Sequence, residues 1–69
     1  MNPDTSEISE ILKELIDKTR DLASEELTLA LEASRDKNEA ERIIHLNKEK
    51  SYAKIARHLE KALYILGEV

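Results

Sequence analysis

From Ile8 onward, apolar residues return every three or four positions: Ile8, Ile11, Leu12, Leu15, Ile16, Leu22, Ala23, Leu27 and Ala30. At 3.6 residues per turn these share one face of a helix, while Glu7, Glu10, Glu14, Asp17 and Asp21 fall on the opposite face. Asp4, with Glu7 three residues on, has the capping-box spacing and predicts the helix start. Two positions interrupt the apolar face. If the helix runs unbroken to Ala33, Thr19 and Glu26 lie near the middle of that face, and a lone buried carboxylate is costly. Glu26 therefore has a partner, or the helix breaks near Ser24, where Ser24-Glu25-Glu26-Leu27 reads as a fresh capped start.

The strongest turn signal is Ser34-Arg35-Asp36-Lys37-Asn38, where Asp36 with Glu39 and Asn38 with Glu41 each repeat the capping spacing. Beyond it, Ala40, Ile43, Ile44, Tyr52, Ile55, Leu59, Ala62, Leu63 and Leu66 predict a second helix ending at Gly67. Five polar residues, Asn47-Lys48-Glu49-Lys50-Ser51, shift the apolar face around its axis, so a kink is a further alternative there. The pattern predicts an all-α protein, one domain over residues 1–69. Its two helices, spanning about 4–33 and 38–66, form an antiparallel hairpin; a three-helix bundle broken near Ser24 is the alternative.

Such a hairpin gives each helix a single neighbour, which is not enough to cover seventeen leucines and isoleucines. Short chains bury little surface, and the usual remedies are disulfides, a metal or a second chain. The absence of cysteine excludes the first remedy and thiolate metal sites with it. A homodimeric four-helix bundle follows as the expected assembly, with Leu12, Leu15, Leu22, Ile44, Ile55, Leu59 and Leu66 at its interface. Thr19, Glu26, Asn47 and Ser51 would form a polar layer that fixes register, as buried polar residues do in coiled coils.

Composition narrows the class further. One glycine, one proline and two tyrosines as the only aromatics disfavour β-sheet architectures. The longest apolar runs fall far short of the roughly 20 residues a membrane span needs, and the N-terminus lacks a signal pattern, so a cytoplasmic protein without membrane partners is expected. The net charge is −4 and unevenly placed: residues 1–34 hold nine acids and three bases, residues 35–69 eight bases and six acids. Overall acidity disfavours broad nucleic-acid binding. The exception is a row of Lys50, Lys54, Arg57 and Lys61 at 4-3-4 spacing, a ridge that could follow phosphates. Asp21, Asp17, Glu14 and Glu10 repeat that spacing with opposite sign.

Chemistry-bearing patterns are scarce. Glu41, His45 and Glu49 share one side of a helix, but the inward Glu-x-x-His pairs of bundle di-metal sites do not occur, so no metal is expected. No cysteine nucleophile, glycine-rich phosphate loop or spaced Ser-His-Asp set is present, so neither catalysis nor a cofactor is expected. Residues 51–59, Ser-Tyr-Ala-Lys-Ile-Ala-Arg-His-Leu, resemble the opening helix of a helix-turn-helix reader. That resemblance implies a turn and a recognition helix next, whereas residues 60–66 continue the same helical pattern. The expected function is a non-enzymatic, self-associating interaction or regulatory module with a protein partner. The alternatives are a nucleic-acid-associated regulator built as a dimeric hairpin and a small antitoxin- or immunity-type neutraliser.

Overall fold

The computed structural model describes residues 5–67. Two helices, α1 (Thr5–Arg35) and α2 (Glu39–Gly67), pack along their whole length as an antiparallel hairpin 54 Å long and 14 Å across. Asp4, the cap expected for α1, lies outside the described residues. The hairpin is the arrangement the apolar pattern predicts, and both helices are continuous.

The turn explains the antiparallel return. Lys37 adopts a left-handed backbone, φ 57°, two residues beyond the end of α1. Its N–H donates to the Ser34 carbonyl at 3.1 Å, and the Asn38 N–H donates to the Ala33 carbonyl at 2.8 Å. This is the Schellman pattern, which satisfies carbonyls that the helix end would otherwise orphan. Asn38 then opens α2. Its side-chain oxygen accepts from the Glu41 N–H at 3.2 Å, the N-cap bond anticipated for that residue. One residue thus closes the first helix and caps the second, leaving only three residues between them.

Neither alternative break forms. At Ser24 the carbonyl accepts from the Thr28 hydroxyl at 3.2 Å, and at Asn47 it accepts from the Ser51 hydroxyl at 3.1 Å. Serine and threonine inside a helix satisfy themselves on the preceding turn without interrupting it. The three-helix bundle and the kink near Asn47 are therefore set aside. α2 also runs without a turn through residues 51–67, so the second half of a helix-turn-helix is not there.

The seam between the helices differs from the stripe of large aliphatics. On α1 it consists of Leu12, Ile16, Thr19, Ala23, Glu26, Ala30 and Ala33, spaced alternately by four and three, the repeat that keeps a coiled-coil seam facing its partner. The facing row on α2 includes His45, Glu49, Tyr52, Ala53, Ala56, Leu59, Leu63 and Leu66. The buried residues are Ile16, Thr19, Ala30, Ala33 and Ala56. Alanines take the most buried positions of the middle of the seam, and its leucines, Leu12, Leu59, Leu63 and Leu66, lie toward the open end and are only half-buried. Ile11, Leu15, Leu27, Leu29, Leu31, Ile43, Ile44, Ile55, Tyr64 and Ile65 remain 40–69% exposed. The chain exposes 5,509 Å², against about 4,400 Å² for a compact monomer of its mass. Its radius of gyration, 15.9 Å, exceeds the roughly 11 Å of a compact chain of this length.

Candidate functional site

Part of the exposed apolar surface forms one face, while Leu27, Leu31 and Ile43 lie elsewhere on the molecule. On α1, Ile8, Leu15, Leu22 and Leu29 recur every seven residues along one flank of the seam, with Ile11 beside them. On α2, Ile44, Ile55, Ala62 and Ile65 follow the corresponding flank, with Tyr52, Leu59 and Leu66 of the seam along its inner edge. Both rows are displaced in the same rotational sense from their seams, and in an antiparallel pair of right-handed helices that puts them on the same broad side. Ile8 and Leu12 accordingly share an apolar groove with Ala62, Ile65 and Leu66 at the open end of the hairpin. The opposite broad side is closed differently. There an ion pair joins Arg20 to Glu60, and Arg20, Ala23, Ser24 and Leu27 line a shallow groove with Glu49 and Ala53.

Six of the seven residues assigned from sequence to an oligomer interface lie on this one face. Leu15, Ile44 and Ile55 are exposed; Leu22, Leu59 and Leu66 are half-buried along its inner edges. Leu12 is turned further into the seam and is half-buried. Lys18, Glu25 and Lys48 interrupt the apolar rows, and all three are exposed.

The four polar candidates divide. Thr19 is buried, and its hydroxyl donates to the Leu15 carbonyl at 2.6 Å within its own helix. Glu26 sits in the seam against His45 of α2, 2.6 Å from carboxylate oxygen to Nδ1. That contact supplies the partner α1 needs to continue past Ser24. The other ring nitrogen of His45 lies 3.2 Å from Glu41, so each imidazole nitrogen faces a carboxylate. Asn47 and Ser51 are exposed on α2 and do not join Thr19 and Glu26 within one chain. His45 is the member sequence reasoning missed.

The four cations of the predicted ridge, Lys50, Lys54, Arg57 and Lys61, are all exposed on the outer side of α2. Lys54, Arg57 and Lys61 line one shallow groove with His58. None of the four forms an ion pair among the described residues. Glu10, Glu14, Asp17 and Asp21 are likewise exposed and unpaired on the outer side of α1. At the start of α2, Glu39 is paired with Arg42; the hydrogen bond from that guanidinium holds the Glu39 carboxyl below its usual range and raises Arg42 in turn.

No protein-family model, curated protein or solved structure matches the chain. Among the described residues no helix is long and apolar enough to cross a membrane, and no group of three or more His, Cys, Asp or Glu side chains is placed to hold a metal ion. His45 and Glu41 touch, but Glu49 faces the opposite broad side of the hairpin, so the row seen in the sequence does not converge.

Proposed function

We propose that this chain is a non-enzymatic self-associating module in which two hairpins pack apolar face to apolar face as a homodimeric four-helix bundle, leaving their outer surfaces for a protein partner. One observation carries the reading: the seam buries only Ile16 among the large aliphatics, with Thr19 and three alanines, while nine leucines and isoleucines stay 40–58% exposed. A chain that folded for itself alone would place its largest apolar side chains where they exclude the most water.

The chain exposes roughly 1,100 Å² more than a compact monomer of its mass, a surplus that packing against a second copy would reduce.

Sedimentation equilibrium at micromolar concentration in about 1 M salt tests the proposal, since salt at that level screens surface charge and leaves apolar association intact. The expected mass is twice that of the chain. A stable, fully helical monomer under those conditions refutes it.

A further inference from the structure

We propose that the basic ridge of α2 is a docking edge for the acidic outer edge of α1 in another copy of this chain, so that hairpins, or the bundles they form, associate side by side. The ridge needs an explanation because the chain does not use it internally. Lys50, Lys54, Arg57 and Lys61 are exposed and without ion pairs among the described residues, and they project away from both the seam and the apolar face.

The register of the hairpin selects the partner. Glu26 lies level with His45. On that register Asp21 is level with Lys50, Asp17 with Lys54, Glu14 with Arg57 and Glu10 with Lys61, but across the full width of the molecule, on opposite outer edges. Moving one hairpin sideways, with no rotation and no axial shift, therefore brings every acid of one copy beside a cation of the next. Helix direction fits as well, because α1 of one copy then runs antiparallel to α2 of its neighbour.

A second feature coincides with the charges. Near the turn, Leu31 on the outer side of α1 is 57% exposed and Ile43 on the outer side of α2 is 47% exposed. On that register Leu31 is level with residue 40, so the same sideways step sets Leu31 of one copy within about one helical turn of Ile43 in the next. Four complementary charges fix the register, and an aliphatic contact closes the end. An extended polyanion such as RNA would meet the cations but not Ile43, and the acidic edge would repel it.

This contact is heterologous: each copy offers a different edge to each neighbour, and translation does not close on itself. It is also weak, since exposed ion pairs are screened by salt. It coexists with the bundle proposed above without depending on it. The mass in about 1 M salt reports the apolar face; any further growth in about 0.01 M salt, where charges act over roughly 30 Å, reports the edges.

The experiment compares the wild-type chain with K54E/R57E and E14K/D17K by sedimentation velocity at both salt concentrations, with circular dichroism to confirm unchanged helicity. The wild type is expected to at least double its average mass on going to low salt. Each variant alone is expected to stay at its high-salt mass, because two of its four charge pairs now bring like charges together. Mixing the two variants is expected to restore growth, with both present in the larger species. Overturning results are a wild-type mass independent of salt, growth of either variant alone, or no rescue on mixing. Low-salt binding of a labelled RNA oligonucleotide that K54E/R57E abolishes, without salt-dependent self-association of the wild type, would assign the ridge to nucleic acid instead.

Discussion

Replacing His45 by leucine is expected to destabilise the hairpin more than replacing Glu26 by leucine, and making both changes is expected to restore most or all of the loss. Glu26 and His45 side chains are 14% and 16% exposed, and their contact is 2.6 Å. Removing one partner from a largely desolvated charged contact leaves the other without compensation, which costs about 1.5–3 kcal/mol for a hydrogen bond to a charged group. The two single losses are unequal because the partners differ in what remains to them. Without His45, the Glu26 carboxylate is left in an alanine-lined seam; without Glu26, His45 keeps Glu41 at 3.2 Å. We expect about 2–3 kcal/mol for His45→Leu and about 1 kcal/mol for Glu26→Leu. The double variant replaces a polar contact by leucines and should fall within about 1 kcal/mol of the wild type, or above it. Urea unfolding followed at 222 nm gives all four stabilities, provided one protein concentration is kept throughout, because association would add to each value. A coupling energy below about 0.5 kcal/mol would mean that the two changes simply add. The pair would then contribute nothing to the seam, and the account of why α1 continues past Ser24 would be wrong.

Three further outcomes follow from the same geometry. Lys37→Gly relieves a left-handed conformation that side chains disfavour by roughly 1–2 kcal/mol; after the greater freedom of glycine in the unfolded chain, a net gain of about 0.5–1 kcal/mol is expected in urea unfolding. Leu15→Glu with Ile55→Glu places charges in the proposed interface at positions already 44% and 48% exposed. The double variant is expected to retain its helicity at high concentration yet sediment at the mass of one chain, and retention of a dimer would move the interface elsewhere. Glu39 has a lowered pKa, so its contribution is fully present above the usual carboxylate value of about 4.3 and is lost as pH falls through its lower folded value. The melting temperatures of wild type and Glu39→Gln should differ near neutrality and converge in acid; a constant difference would show that the Arg42 contact is unimportant.

Much of this fold can be read directly from the chain. The 3.6-residue return of Ile8, Leu15 and Leu22, the polar cluster at residues 34–38 and the Asn38–Glu41 spacing predict two helices and the turn joining them, because these are local preferences expressed within a few residues. Seventeen large aliphatics on so short a chain also point to an apolar surplus. The tertiary structure decided which face each helix gives the other. Hydrophobicity alone would turn Leu15, Ile44 and Ile55 inward, yet the helices meet along Ala23, Ala30, Ala33 and Ala56, where the backbones can come closest. The seam accepts Glu26 because His45, nineteen positions along the chain, comes level with it only when the helices are paired. Periodicity within one helix carries no information about rotation relative to its neighbour. That rotation is set by fit between two surfaces, and here it leaves the large aliphatic residues facing outward.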